Sequence, residues 1–478
     1  MSSIKGTSII GYLGLMFVIN GFVILISGTV SVIFNELNIA LVFMLTSVTA
    51  IILGIVLFRR YPRGEIELKE AMIISASAWA ICPLISSIPF MAAAHMSPID
   101  SYFEAMSGLT ATGLTMLENV EQCSKGILFF RSLLEWVGGV GVVVLLLGVI
   151  MRPGIAAATL YIAEARTDKI KPTVTSTVRT IWWIYILYTV AGTILLFSAG
   201  LPLFDAINHS MTSLATGGFS IKNQSIGAYN NLSVESVTIS LMIIGSISFV
   251  LHYKVLHGNL KEFVKNAEIR FMVIILILSI FLVTLDLYLR GYAAFQALRF
   301  SAFQCVSALS GTGFSTIDLT TLSDFSKVIL IILMVTGGGY GSTSGAIKLI
   351  RMAIIFKSFQ WIIRKLIEPK GAIIPMKLCG KVYEEPAIME AALFAILYAS
   401  FLLGGSLLLT FLGYPFTSAL FEIASAEGNV GLSVGVCTPV MPVAGKIVLI
   451  FEMWAGRLEF LPVIVLAGLF FGYSKRWP

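Results

Sequence analysis

Charge is scarce in this chain. Of 478 residues only 12% are Asp, Glu, Lys or Arg, against about 25% in ordinary soluble domains, so most of the chain has no water-facing surface to furnish. Cysteine is sparse too: Cys82, Cys123, Cys305, Cys379 and Cys437 are scattered, odd in number and contain no CxxC pair. That pattern suggests neither a disulfide framework nor a zinc site. His95, His209, His252 and His257 lack metal-ligand spacing and are expected at interfaces. HExxH, a pair of intramembrane aspartates and a serine with a base are all missing, as is GxGxxG after a strand. The chain is therefore not read as an enzyme, and nucleotide control, if any, must come from another polypeptide.

What fills the space is apolar. Hydrophobic residues make up 57% of the chain and mean hydropathy is +0.92. Runs near the roughly 20 residues that cross a bilayer recur along its length. The first, Gly6 to Val30, is too long for a signal h-region and lacks a cleavage site, so it reads as a retained helix. Lys and Arg gather at Arg59 to Lys69, Arg152 to Arg179, Lys254 to Arg270, Lys348 to Lys381 and Lys475-Arg476. The positive-inside rule places these loops and both termini in the cytoplasm of a multi-pass protein of the cell (inner) membrane. Location alone explains the net charge of +6, so no nucleic-acid partner is invoked.

Internal repetition is the most informative pattern. Four nine-residue blocks align on one glycine: Ser107-Gly-Leu-Thr110-Ala111-Thr112-Gly113-Leu-Thr115, Thr212-Ser-Leu-Ala215-Thr216-Gly217-Gly218-Phe-Ser220, Ser307-Ala-Leu-Ser310-Gly311-Thr312-Gly313-Phe-Ser315 and Ser425-Ala-Glu-Gly428-Asn429-Val430-Gly431-Leu-Ser433. A short amphipathic segment precedes each. About ten residues of helix reach about 15 Å, half the hydrocarbon thickness, so such a segment dips in and returns. The expected fold is an all-α polytopic membrane protein with four helix, re-entrant half-helix, helix repeats in pseudo-fourfold arrangement. Two helices, about Gly6 to Val30 and Ile39 to Phe58, precede them. The units fall at 1–65 (N-terminal helix pair), 66–165, 166–265, 266–380 and 381–478.

Non-helical backbone at membrane depth is tolerated only where protein or a water-filled cavity satisfies it. Four such loops on one axis present rings of carbonyl oxygens able to replace the hydration shell of a monovalent cation. Half-helix C-termini pointing inward favour a cation electrostatically. Glycine accommodates backbone angles that a Cβ makes costly. The carbonyls expected to line the path belong to residues 110–113, 215–218, 310–313 and 428–431, with hydroxyls of Thr110, Thr112, Thr216, Ser310 and Thr312 nearby. One Gly-Phe-Ser would read as a tight turn or a helix-packing site; four in register, on one side, do not.

Together these features resemble the Trk/Ktr/HKT superfamily of potassium transporters, across essentially the whole chain. Thr336-Gly337-Gly338-Gly339-Tyr-Gly341-Ser342-Thr-Ser-Gly345-Ala-Ile-Lys348, Glu452-Met-Trp-Ala-Gly-Arg457-Leu-Glu459 and Glu135-Trp-Val-Gly-Gly-Val-Gly141 are similar to motifs of its TrkH-like branch, as is the leading helix pair. The fourth block departs by lacking Thr. The resemblance implies potassium as the transported ion, with rubidium and sodium as candidate co-permeants. It also implies a homodimer with one pore per subunit and a peripheral TrkA-like subunit that binds adenine nucleotides. Ion-coupled symport is the alternative; its usual mark is a break in two corresponding helices.

The Gly/Ser run at 336–345 follows an apolar helix and precedes a basic one. Each glycine costs about 1 kcal/mol of helicity, so an unwound segment under the third loop is expected, and the resemblance makes it a movable gate. Arg457 lies in the apolar stretch from Ile447 to Leu469. It faces the pore, pairs with Glu452 or Glu459, or snorkels to the cytoplasmic interface. Arg131 and Glu135, four apart, could pair with each other. Lys348 is expected at the cytoplasmic mouth.

Overall fold

The computed structural model describes residues 6–61, 66–141, 159, 171, 173–369 and 374–470. Most of the basic segment that begins at Arg152, and the terminal Lys475-Arg476, lie outside them.

A helix pair opens the chain, α1 (Gly6–Ile33) and α2 (Leu37–Arg60). Their contact is made by glycines: a Cβ on Gly54 would stand 2.5 Å from the Gly14 carbonyl. Without a hydrophobic drive between helices in lipid, such close backbone approach is what holds them. Asn20 on α1 donates to the Cys82 carbonyl (3.1 Å) and accepts from Ser86 (3.0 Å), which locks α1 onto α3.

Four units follow. The first has α3 (Leu68–Ala93), α4 (Pro98–Leu109) and α5 (Lys125–Val140). The second has α6 (Val174–Ser198), α7 (Leu203–Leu214), α8 (Leu232–Gly245), α9 (Phe249–Leu256) and α10 (Leu260–Lys265). The third has α11 (Ala267–Leu289), α12 (Ala294–Ser310), α13 (Asp324–Thr336) and α14 (Leu349–Ile367). The fourth has α15 (Glu385–Phe411), α16 (Phe416–Glu427), α17 (Val443–Arg457) and α18 (Leu461–Phe470). Among the described residues, six helices are long and apolar enough to cross a membrane. The middle helices are not: α4, α7 and α16 have 12 residues each, about 18 Å of rise. α12, at 17 residues, is longer than the ten or so expected. Ser97 caps α4 by accepting from the Asp100 N–H, with Pro98 at the first helical position, where its missing donor is harmless.

Three features differ from the sequence reading. A two-residue hairpin turn, Cys379-Gly380, joins β1 (Met376–Leu378) to β2 (Lys381–Tyr383), antiparallel, within the basic segment after α14. The break in a second long helix is not confined to the third unit. α8 and α9 meet at 106° across Ile247, and positive φ at Glu459 and Phe460 separates α17 from α18, so Ile447 to Leu469 is not one continuous helix. In the first unit α5 ends at Val140, with Gly141 at φ +104°. Finally, Arg131 does not pair with Glu135. Its Nε donates to Glu104 at 2.7 Å, because α4 offers a carboxylate across the helix interface while Glu135 serves the second unit's loop.

Gly54→Leu places a branched side chain against the Gly14 carbonyl. Overpacking of this kind costs about 1–3 kcal/mol, so the melting temperature of the detergent-purified protein falls. Gly468→Leu, at a site with nothing within 4 Å, leaves it unchanged.

Candidate functional site

Each short helix ends in the same turn. Position six of the block donates its N–H to position one: Thr112 to Ser107 (2.9 Å), Gly217 to Thr212 (3.0 Å), Thr312 to Ser307 (3.0 Å) and Val430 to Ser425 (2.8 Å). Position five donates to position two in all four, as Ala111 does to Gly108 (3.0 Å). This pair of bonds is the Schellman motif, which needs a left-handed residue after the helix. Ala111, Thr216, Gly311 and Asn429 fill that place at φ +52, +52, +73 and +52°. Three of the four carry a Cβ, an arrangement that costs of order 1–3 kcal/mol and persists only where its surroundings impose it.

The surroundings are the other three loops. Gly113, Gly218, Gly313 and Gly431 all have positive φ, between 81 and 94°. A Cβ on Gly113 would stand 2.0 Å from the carbonyl oxygen of Gly217, and one on Gly218 1.8 Å from that of Thr312. One on Gly313 would meet Val430 at 2.0 Å, and one on Gly431 would meet Thr112 at 2.1 Å. Each unit thus touches the next and the fourth returns to the first, closing a ring of position-six carbonyls. Asn429 stitches that last junction, donating to Thr112 Oγ1 (3.0 Å) and to the Met453 carbonyl (2.9 Å). The hydroxyls expected beside the carbonyls are buried and brace their own loops: Thr110 with Thr112, and Ser310 with Thr312, each at 2.7 Å.

On one side of the ring lies a cavity of about 590 Å³, floored by the four glycines and lined by the ninth residue of every block, Thr115, Ser220, Ser315 and Ser433. Glu118, Asp318 and Lys222 also line it. Both Glu135 oxygens accept from the Phe219 N–H at 3.0 Å, and Arg131 donates to the Ser220 carbonyl at 2.8 Å; the first unit's second helix thereby holds the second unit's loop. His209 is not interfacial. It is buried on α7, its Nδ1 2.9 Å from the Asp205 carbonyl and its Nε2 3.1 Å from Ser220 Oγ. In the loop beyond, burial and the Asp205 carboxylate to which it donates at 2.7 Å hold the Tyr229 phenol well above its ordinary value.

On the other side the Gly/Ser segment crosses beneath the ring. Gly337 caps α13 at φ +69°, and Gly338 donates to Ser344 Oγ at 2.9 Å. Gly339 and Thr343 donate their N–H groups to the Ser246 and Gly245 carbonyls (2.8 and 3.3 Å), and Gly341 accepts from Phe249 (3.3 Å). The segment is thus seated in the break between α8 and α9. Ser342 Oγ closes on the Gly339 carbonyl (2.6 Å), and Tyr340 N–H donates to Glu268 (2.8 Å). Two contacts reach the ring itself. Thr216 donates to Thr343 Oγ1 at 3.0 Å, and a Cβ on Gly345 would lie 2.4 Å from the Gly428 carbonyl.

Arg457 closes this side. Its guanidinium donates to the carbonyls of Gly138, Gly139 (2.9 Å) and Thr343 (3.1 Å), tying the fourth unit to the first and to the Gly/Ser segment. Neither carboxylate expected for it is engaged: Glu459 pairs with Arg351 at 2.7 Å, and Glu452 Oε2 has no hydrogen-bond partner. Lys348 is not solvated. It is buried, and its amine donates to the Ser344 carbonyl. Arg457, Lys348, Tyr340, Ser342 and Ser344 line a cavity of about 50 Å³, far smaller than that across the ring. Among the described residues no His, Cys, Asp or Glu cluster suits a metal ion.

Six apolar helices long enough to cross a membrane, with four shorter helices whose loops meet in a ring of backbone carbonyls between two cavities, define a multi-pass membrane protein. The family model described as TrkH, cation transport protein, matches residues 39–471. The chain belongs to that family, whose members are transporters and not enzymes. It is 39% identical over 469 residues to an uncharacterized cation transporter of Methanocaldococcus jannaschii, covering 97% of this chain and 96% of that one. It is 30% identical over 468 residues to the Trk system potassium uptake protein TrkH of Escherichia coli, covering 95% and 96%. The crystal structure of the potassium transporter TrkH from Vibrio parahaemolyticus superposes with a TM-score of 0.86 at 27% identity, over 96% of this chain and 98% of that one.

Arg131→Met leaves Glu104 buried without its cation. Breaking a buried pair costs about 3–5 kcal/mol, read as lost thermal stability in detergent. Arg131→Met with Glu104→Leu recovers only part of it, because the Met116 N–H and the Ser220 carbonyl lose their partners.

Proposed function

We propose that the chain conducts potassium along the axis of the carbonyl ring, with rubidium and sodium as lesser permeants. The observation that carries this reading is the cyclic contact of each loop's glycine with the next loop's position-six carbonyl, from Gly113 round to Gly431. A closed ring of carbonyl dipoles can replace the hydration shell of a monovalent cation, and residues 110–113, 215–218, 310–313 and 428–431 are its ion-facing backbone. The relatives named as potassium transporters support the choice of ion. The wide cavity faces the extracytoplasmic side and both termini face the cytoplasm, following the distribution of Lys and Arg.

The segment 337–345 is the gate. It separates the ring from the small cavity, and its backbone rests on bonds to the α8–α9 break and on side-chain hydroxyls. Arg457 clamps it closed from the fourth unit, and α14 is the lever that a peripheral nucleotide-binding subunit would pull. A homodimer in the bilayer, one pore per subunit, completes the assembly. Coupled symport remains a second reading because Glu427, buried beside the fourth loop, has neither carboxylate oxygen hydrogen-bonded, and buried carboxylates of this kind serve proton relays in transporters.

The test is uptake of rubidium, potassium and sodium into proteoliposomes of the purified chain under an imposed potential. Uptake that follows the potassium gradient alone supports the pore; uptake that requires a proton or sodium gradient supports symport. Gly113→Ser, Gly218→Ser, Gly313→Ser and Gly431→Ser each force the neighbouring loop aside and lower potassium uptake or its preference over sodium about tenfold, as expected for about 1–2 kcal/mol of left-handed strain. Unchanged flux and selectivity in all four would exclude the ring as the selective element. Removal of Gly338 to Ser342 raises basal rubidium uptake without any partner; equal or lower uptake by a correctly folded deletion protein would show that the segment is not the barrier.

A further inference from the structure

Three residues before each nine-residue block stands a polar side chain: Glu104, His209, Gln304 and Glu422. All four are buried, at 0, 0, 2 and 0% exposure. They share one helical position, and three of them bond the strand that leaves their own loop. Glu104 accepts from Thr115 Oγ1 (2.9 Å) and the Met116 N–H (2.9 Å). His209 Nε2 lies 3.1 Å from Ser220 Oγ. Glu422 Oε1 accepts from Ser433 Oγ (2.6 Å) and from the Val434 and Val436 N–H groups (3.0 and 3.1 Å), while its Oε2 has no partner. In three units, then, the ninth residue of the block is pinned from behind by its own short helix.

The third unit departs. Neither Gln304 Oε1 nor Nε2 has a hydrogen-bond partner, and Thr316 Oγ1 nearby in sequence has none either. From its own helix that strand receives Ser307, whose Oγ donates to the Phe314 carbonyl (2.7 Å), and its ninth residue is held by the second unit: Ser315 N–H donates to Ser225 Oγ (3.2 Å), and its carbonyl accepts from Gly227 (3.0 Å).

We propose that Glu104, His209 and Glu422 are positioning residues that set the aperture of the carbonyl ring, and that the third loop is positioned by its neighbour rather than by Gln304. The inference rests on the pore reading above. Each braced loop is held at both ends, by its Schellman turn on one side of the ring glycine and by the buried side chain on the other. Selectivity among monovalent cations depends on the size and dipole field of the cage, so a loop released at one end conducts but discriminates less well. A merely structural role would lower stability and leave the ion preference alone.

Competitive uptake of rubidium and sodium into proteoliposomes, with the melting temperature of each variant, separates these roles. Glu422→Leu and His209→Leu are expected to lower the rubidium-to-sodium ratio about threefold to tenfold, the scale of one or two lost hydrogen bonds. Glu422→Gln, which keeps an acceptor at Oε1, restores it to within about twofold, and Gln304→Leu changes it by less than about twofold. Where a leucine variant does not fold, Ser433→Ala and Ser220→Ala each remove one of these bonds from the partner side, next to the wide cavity, and are expected to lower the ratio in the same direction. An unchanged ratio in these folded variants overturns the inference, as does a loss in Gln304→Leu equal to that in Glu422→Leu. If the parent protein takes up neither ion, the pore reading itself fails and the inference falls with it.

Discussion

Four glycine Cα atoms, each pressed against the carbonyl oxygen of the next unit, are the contact on which the molecule turns. The approach leaves no room for a Cβ at Gly113, Gly218, Gly313 or Gly431, and it is cyclic, so no loop can move without displacing a neighbour. This closure accounts for the left-handed Ala111, Thr216 and Asn429: isolated helix C-termini would not hold them, but a ring over-determines them. The short helices, the Schellman turns and the buried polar groups behind the loops deliver four backbones to one place at one height.

Charge is used sparingly, and among the described residues the buried ion pairs each bind one element to another. Arg131 with Glu104 joins α5 to α4, Glu235 with Arg299 joins the second unit to the third, and Lys446 with Asp100 (2.5 Å) joins the fourth to the first. In a low-dielectric interior such pairs contribute little net stability relative to apolar packing, but losing one partner is costly. They therefore act as registry marks. Arg457 extends this use to backbone dipoles: it donates to carbonyls of the first unit and of the Gly/Ser segment, tying that segment to two units at once.

The two faces of the ring are built on different terms. On the wide side, two buried carboxylates hold their departing strands through several bonds each, and an imidazole holds its strand through one. On the narrow side, the segment from Gly337 to Gly345 is held by backbone bonds to the α8–α9 break, by its hydroxyls, and by Glu268, Lys348 and Arg457.

How much of this was legible beforehand follows from the range of each interaction. Hydropathy, the length of the apolar runs and the fourfold glycine alignment depend on composition and spacing along the chain. From them alone followed the all-helical membrane class, the leading helix pair, the short middle helices and the non-helical segment after Thr336. Contacts between units have no such signature. Nothing local distinguishes Glu135 as the acceptor of Phe219, Glu104 as the partner of Arg131, or backbone carbonyls as the partners of Arg457. Side chains four apart on one helix looked like the natural pair, yet the folded chain offered each a better-placed group on another element. The break between α8 and α9 was likewise invisible, since Gly245-Ser246-Ile247-Ser248 is a weak helix breaker until the Gly/Ser segment arrives to satisfy its carbonyls. The sequence by itself determined which residues must leave water and where the backbone must turn; the tertiary structure decided which turned backbones meet, because a buried polar group takes its partner from whatever the assembled units bring within 3 Å.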